Sequence, residues 1–166
     1  MTQHDWTQFT LRVNIHTEPQ RIYDAWTTRT GLESWFLRQA VFFNPDGAQR
    51  PESEHFQKGD TYEWRWHGYP YEVVEKKEVL AANGENVLTF RFSGNCIVSV
   101  QITCESDETL VVLTQSHIPT DEASKISYYN GCSLGWTFYL ANLKSVLEGG
   151  LDLRNKNLNL PNVVNA

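Results

Sequence analysis

The order of two hydrophobic periods along the chain constrains the fold most strongly. From Asp60 to His117 apolar residues recur at every second position, whereas from Ser133 to Glu148 they recur at helical spacing. A period of two indicates strands, and a spacing of three and four residues indicates an amphipathic helix. Strands with one apolar face need a cover, and the single long helix that follows them is the only element long enough to supply it.

The long helix is the strongest local signal in the sequence. Its apolar positions fall at i, i+4, i+7 and i+11, and they are Trp136, Leu140, Leu143 and Leu147. Ser133 is a suitable N-cap, and Gly149 with Gly150 supplies the stop. We therefore predict one helix over 133–148, reached through a linker around 119–127.

The first third of the chain predicts smaller elements. Alternation over 9–16 indicates a strand, and Thr17 as N-cap with Pro19 in the first turn opens a short helix. A second short helix is expected over 30–36, and a strand over 37–43. The polar segment 44–59 is rich in Pro and Gly and predicts a loop. Later strands are expected over 60–66, 71–80, 87–92, 96–104 and 109–117.

These elements predict an α+β fold in which a curved antiparallel sheet of about six to seven strands wraps a long C-terminal helix. Two short helices follow the first strand. The sequence shows no internal repeat and no second domain, and 166 residues suffice for one substantial core. We expect a single domain over 1–166, with its core at about 9–150 and a tail at 151–166.

Composition excludes several classes of partner. The net charge is -6 and the pI is near 5.3, which argues against nucleic acid or an anionic membrane as a main partner. No apolar run reaches the ~18–20 residues that span a bilayer, and the polar N-terminus does not resemble a signal peptide. Three cysteines without CxxC spacing favour a reduced, cytoplasmic protein.

Aromatic residues make up 13% of the chain, including six Trp. Side chains of this size fill the space between sheet and helix or line a cavity there, and the sequence leaves both readings open. The predicted faces point nine side chains into that space: Trp64, Trp66, Phe90, Phe92, Val98, Val100, Trp136, Tyr139 and Leu143. We predict that these residues bind a small hydrophobic or amphipathic ligand.

Charged and titratable residues give weaker signals. Glu63 and Arg65 are expected to form ion pairs on the solvent face of their strand. The same is expected of the charged group in the next strand, which comprises Glu72, Glu75, Lys76, Lys77 and Glu78. The five histidines lack metal-ligand spacing, so no metal and no cofactor are expected. His67, His117 and Tyr71 are the candidates for acid or base chemistry.

The long helix also has an apolar face opposite the predicted cavity. Leu134 and Phe138 lie on that face, and apolar patches of this kind often mark contacts. The tail carries apolar residues that can fold back over the patch, namely Leu151, Leu153, Leu158 and Leu160. We expect either this tail or a second subunit to cover the patch, so a homodimer is one predicted partner arrangement.

Two segments resemble a known family. Residues 19–27 with 31–36 are similar to the opening signature, and 135–150 to the closing signature, of the family named after the activator of heat-shock protein 90 ATPase. The resemblance covers roughly 9–154 and implies the START-like helix-grip fold, which birch-pollen-allergen-like proteins share. Members often read Thr-His-Ser near the end of the last strand, where this chain has Thr114, Gln115 and Ser116.

Three functions follow as hypotheses. The first is non-enzymatic binding of a small apolar or amphipathic ligand between sheet and helix. The second is a chaperone-linked interaction module, which the family resemblance implies. The third is a cyclase- or hydrolase-type enzyme that uses Tyr71, His67 or His117. The START-like fold hosts carriers, cyclases and co-chaperone domains, so fold alone does not choose among them.

Overall fold

The computed structural model of the protein describes residues 4–164. Seven strands form one antiparallel sheet in the order β1-β7-β6-β5-β4-β3-β2. The strands are β1 (Phe9–Asn14), β2 (Gln39–Phe43), β3 (Thr61–Arg65), β4 (Glu75–Ala82), β5 (Val87–Arg91), β6 (Ile97–Glu105) and β7 (Glu108–Ser116). The predicted α+β helix-grip architecture is confirmed, because this sheet is curved around a long C-terminal helix.

The sheet buries one face of each strand, as the period of two requires. Tyr62 and Trp64 of β3 are buried, while Glu63 and Arg65 point outward. Glu63 forms an ion pair with Arg65 and another with Lys76. The predicted pairing of Glu63 and Arg65 is confirmed. A register shift between Val79 and Ala81 of β4 adds local curvature where the sheet bends around the core.

Two short helices, α1 (Pro19–Thr27) and α2 (Arg29–Trp35), close one end of the core. The N-cap of α1 is Glu18, so the predicted cap at Thr17 is wrong; Thr17 instead accepts a hydrogen bond from Arg21. Thr28 caps α2, since its Oγ1 accepts from the N–H of Gly31 at 2.9 Å. The predicted pair of helices after the first strand is confirmed.

The C-terminal helix is longer than predicted. A short α3 (Glu122–Ser124) and a π-helical segment (Lys125–Gly131) lead directly into α4 (Cys132–Leu147). Asp121 caps the start, because its carboxylate accepts from the N–H of Ser124 at 3.0 Å. The predicted N-cap at Ser133 and most of the linker over 119–127 are therefore wrong. Ser133 lies inside the helix and donates its hydroxyl to the carbonyl of Asn130.

The fourth strand also differs from prediction. Tyr71 to Leu80 was expected as a strand, but β4 spans Glu75–Ala82. Residues 66–74 instead form a connection from β3 that lies over the end of the core. The many charged residues in this segment mask the alternation, because a charged side chain on the inner face does not register as apolar.

The tail after α4 is held by polar contacts rather than by its leucines. Arg154 is buried and donates to the carbonyls of Leu37 and Glu33, both at 2.9 Å, and pairs with Asp152. Asn142 of α4 donates to the carbonyl of Trp35 at 2.7 Å and to Asp152 at 3.1 Å. We call Asn142, Asp152 and Arg154 the tail clamp. It satisfies carbonyls that α2 leaves open at its C-terminal end.

The tail does not cover the outer face of α4. Leu134 remains 73% exposed, and the tail side chains expected to cover it are themselves exposed: Leu151, Leu153, Leu158 and Leu160. Phe138 is half-buried and packs on the core. The expected cover by the tail is therefore wrong, because the tail clamp directs this segment toward α2 instead. Among residues 4–164, no helix is long and apolar enough to cross a membrane.

Candidate functional site

A cavity of about 450 Å³ lies between the sheet and the C-terminal helix. This volume is within the ~300–1,000 Å³ that is usual for small-molecule sites. The cavity is lined by Phe36, Trp66, Tyr69, Val73, Glu75, Phe92, Ser93, Ser127, Gly131, Cys132, Gly135, Trp136 and Tyr139. Most of this wall is apolar or aromatic, with a few polar groups.

The cavity exists because the helix presents small residues to it. Ser127, Gly131 and Gly135 follow one another at intervals of four, so they lie on one face of the helix and leave room above the sheet. A Cβ placed on Gly135 meets no atom within 4 Å. The π-helical segment contributes Ser127 and Gly131 to this wall. Such segments occur often at functional sites, because they break the regular helical spacing.

Aromatic rings form the opposite wall and the floor. Phe36 lies at the C-terminal end of α2, and its ring centroid is 4.9 Å from those of both Trp136 and Tyr139. Phe92 follows β5 and lies 5.3 Å from Trp136 and 6.2 Å from Trp66. Contacts at these distances fix the rings against one another. The wall is therefore preformed rather than assembled by a ligand.

The connection between β3 and β4 forms the rim. Tyr69 and Val73 line the cavity, and each is 47% exposed. Both residues therefore face solvent on one side and the cavity on the other.

The nine predicted ligand-binding residues separate into two groups. Trp66, Phe92, Trp136 and Tyr139 line the cavity. The other five are buried in the packed core beneath it: Trp64, Phe90, Val98, Val100 and Leu143. The sequence left core filling and cavity lining open, and each reading holds for part of the set.

Gln115 organises the closed end of the cavity. Its side chain is fully buried, accepts from Trp136 Nε1 at 3.0 Å and donates to the carbonyl of Tyr128 at 3.1 Å. Burial raises the pKa values of the thiols of Cys96 and Cys132. Gln115 thus fixes the Trp136 ring, and both thiols stay protonated at neutral pH. This residue stands where the family pattern often has histidine.

Glu75 is a cavity residue that the sequence assigned to the solvent face. In the β3–β4 ladder it lies opposite Trp64, and register partners share a face of the sheet. Its Oε2 accepts from Ser93 Oγ at 3.4 Å, and Lys77 Nζ lies 3.9 Å from Oε1. Glu75, Lys77 and Val79 occupy alternate positions of β4, and Val79 is buried, so the alternation indicates that all three lie on the inner face. The inner face of β4 thus begins with two charges.

None of the three acid/base candidates is among the residues that line the cavity. Tyr71 donates its hydroxyl to Gln39 at 3.0 Å and stacks under Arg65. His117 is exposed, with Nδ1 3.0 Å from Ser116 Oγ. Burial, together with the charges of Arg154, Lys156 and Arg38, lowers the pKa of His67 to about 4, so it is neutral at pH 7.

Metal-binding clusters and unpaired buried polar groups are two further features that bear on chemistry. In the part of the chain that the structure describes, no group of three or more His, Cys, Asp or Glu could hold a metal ion. The indole N–H groups of Trp26 and Trp64 are buried and lack an acceptor within residues 4–164. An unpaired buried N–H costs free energy, so these indoles differ from Trp136, which Gln115 satisfies.

Comparison with known proteins gives one family. The family model described as "Activator of Hsp90 ATPase homolog 1-like protein" matches residues 16–148. This match spans both short helices, β2 to β7 and the whole of α4. The matched residues include all those that line the cavity. Of the tail clamp they include Asn142 but not Asp152 or Arg154. No curated protein sequence matches the chain significantly.

Solved structures share the fold at low sequence identity. A protein from Staphylococcus saprophyticus has a TM-score of 0.67 at 16% identity, covering 89% of this chain and 96% of its own. The Aha1 dimer from Colwellia psychrerythraea has a TM-score of 0.64 at 20% identity, covering 86% and 97%. DynU16, from the dynemicin biosynthetic locus, has a TM-score of 0.68 at 16% identity, covering 90% and 50%.

Proposed function

We propose, from the premise that this chain belongs to the Activator of Hsp90 ATPase homolog 1-like family, that it binds a small hydrophobic or amphipathic ligand without turning it over. The family fold supports a ligand-binding or interaction module in general. Members of one fold differ in function, so the argument has to come from the cavity itself. The contacts are assigned to Trp66, Phe92, Trp136 and Tyr139.

Gly135 carries this proposal. A glycine inside a helix costs about 1 kcal/mol relative to alanine. Here a Cβ would meet nothing within 4 Å, so packing does not demand the glycine. What the missing side chain provides is open space next to Trp136, in a wall of preformed aromatic rings. Space that lowers stability and is kept open by the fold is suited to a ligand.

We expect Gly135→Leu to abolish ligand binding while leaving the fold intact. Leucine favours the helix, and its side chain would extend into the cavity rather than into packed atoms. Native mass spectrometry of protein purified from its host measures whether a small molecule is carried. Calorimetric titration with 2-naphthaleneethanol, a neutral amphipathic probe, measures binding directly.

Thr137→Leu is the matched control, since Thr137 is exposed on the same helix and does not line the cavity. This variant should bind as the wild type does. Binding that survives Gly135→Leu would exclude the cavity as the site. Wild-type protein that carries no molecule and binds no probe would refute the proposed function.

A second candidate is an interaction module that forms a homodimer through the outer face of the C-terminal helix. Leu134 is 73% exposed and Ile126 is 66% exposed on this helix, and large exposed apolar side chains favour contact with another protein. The Aha1 protein from Colwellia psychrerythraea is a dimer, which supports a homodimer here. A chaperone partner, suggested by the family name, is the other occupant that this face could take.

We expect Leu134→Lys to convert a dimer to a monomer, because a buried charge without a partner opposes association. Light scattering coupled to size exclusion, at several protein concentrations, gives the mass. Thr137→Lys, on an exposed polar position of the same helix, should leave the mass unchanged. A wild-type monomer at all concentrations would contradict the dimer, and capture of an Hsp90 chaperone that Leu134→Lys abolishes would favour the alternative occupant.

We place this function in the cytoplasm. Cys96, Cys104 and Cys132 are all free thiols, and Cys104 is exposed. Reducing compartments keep such thiols unpaired, whereas oxidising ones favour disulfides. Fractionation of the host cell with an antibody against the protein tests this assignment.

A further inference from the structure

The formal charge in the cavity lining is of one sign only. Glu75 is the single formally charged residue among the described residues that line it. The other polar lining groups are hydroxyls and one thiol, from Tyr69, Ser93, Ser127, Cys132 and Tyr139. The thiol of Cys132 and the hydroxyl of Tyr139 are neutral at pH 7, because burial raises their pKa values, that of Tyr139 to about 12. The wall therefore offers a negative charge and no positive one.

The carboxylate of Glu75 is only partly compensated by the protein. Its side chain is 23% exposed, so it has lost most of its contact with water. Its hydrogen bond from Ser93 is long, at 3.4 Å. Lys77 stands at 3.9 Å and donates at 3.1 Å to Asn95 instead. A half-buried carboxylate with weak partners gains from a cation placed in direct contact.

The aromatic wall acts in the same direction. The faces of tryptophan, tyrosine and phenylalanine rings are electron-rich and attract cations. Phe92 contacts both Trp66 and Trp136, and all three rings line the cavity together with Glu75. The net charge of -6 adds a long-range attraction for cations and opposes anions. An anionic ligand such as a fatty acid would bring its carboxylate against Glu75 in a poorly solvated space.

We propose that the ligand of this cavity is a cationic amphiphile, with an apolar ring or short chain against the aromatic wall and a protonated amine paired with Glu75. This inference rests on the proposed function and specifies its ligand class. The amine donates to the carboxylate at the rim, where Ser93 and Tyr69 supply further polar contacts. The apolar body occupies the space that Gly131 and Gly135 leave open.

Three probes with one body and different charges test the inference. They are 2-(2-naphthyl)ethylamine, 2-naphthaleneethanol and the anion of 2-naphthaleneacetic acid. Each is titrated calorimetrically at pH 7 into the full-length protein. We expect the amine to bind about tenfold more tightly than the alcohol, as a charge-assisted hydrogen bond would give. The carboxylate should bind more weakly than the alcohol.

Glu75→Gln should abolish the roughly tenfold preference for the amine over the alcohol. Glu78→Gln is the matched control, because Glu78 is exposed on the outer side of the same strand and pairs with Arg91. That variant should keep the wild-type order of affinities.

The outcomes separate this inference from the function on which it rests. Alcohol binding that Gly135→Leu abolishes, without any preference for the amine, would overturn the cationic ligand and keep the cavity as the site. A preference for the amine that persists in Glu75→Gln would also overturn the assignment of Glu75. If none of the three probes binds the wild type, both proposals are wrong.

Discussion

Gly31→Ala is expected to lower the free energy of unfolding by at least about 3 kcal/mol, because the added methyl has no place to go. Gly31 lies in α2 where it crosses α1. A Cβ there would stand 2.2 Å from the carbonyl oxygen of Asp24 and 2.7 Å from the Cα of Ala25. Both atoms belong to backbone, so the two helices would have to move apart. Denaturant unfolding followed by circular dichroism measures the loss.

Gly135→Ala is the internal comparison for this result. The chemical change is the same and both positions are helical, but a Cβ at Gly135 meets no atom within 4 Å. Alanine should therefore stabilise α4 by about 0.5–1 kcal/mol through its higher helix propensity. Opposite signs for the two variants would separate close packing from helix propensity. A Gly31→Ala protein as stable as the wild type would contradict the contact between α1 and α2.

Arg154→Ala is expected to cost about 3 kcal/mol of stability, since it removes one member of a buried polar network. The guanidinium donates to two backbone carbonyls, those of Glu33 and Leu37, and to Asp152. Although burial raises the pKa of Asp152, the hydrogen bonds from Arg154 and Lys156 hold it well below its usual value. Without Arg154, both carbonyls lose this donor, and the Asp152 carboxylate keeps only Asn142 and Lys156 as side-chain partners.

Two further variants provide stability losses with which that of Arg154→Ala can be compared. Arg12→Ala removes an ion pair with Glu105 whose side chains are 51% and 61% exposed, so stability should change by about 0.5 kcal/mol or less. Arg154→Lys should be intermediate, because one ammonium cannot reproduce the guanidinium fork. The same denaturation experiment serves all three. Equal losses for Arg154→Ala and Arg12→Ala would show that the tail clamp contributes no more than a surface pair.

The architecture could be predicted because its determinants are repeated along the chain. Alternation such as Tyr62 with Trp64 identifies a strand face, and the spacing of Trp136, Leu140 and Leu143 identifies a helix face. Each pattern involves several residues, so one exception does not hide it. Helix ends depend on single residues, and Asp121 and Ser133 are both acceptable caps by type. The contact that decides between them becomes visible only in three dimensions.

The sequence predicted a cavity between sheet and helix but not the full set of residues that line it. The sequence identified large apolar residues, and packing then buried Trp64 and Leu143 beneath the residues that reach the open space. Glu75 was missed because a charge on an inner strand face contradicts the usual rule for buried residues. Only the register opposite Trp64 reveals its direction. The tail clamp was missed because its members come from distant segments with no shared pattern.

The open stripe on the helix also has a consequence for how such a chain can change. Ser127 and Gly135 leave space in the cavity because their side chains are small or absent, and neither belongs to the buried apolar core that holds sheet and helix together. Larger residues there would reshape the binding space while the core stays as it is. The shape of the cavity can therefore change at these two positions without a change in the residues that form the core.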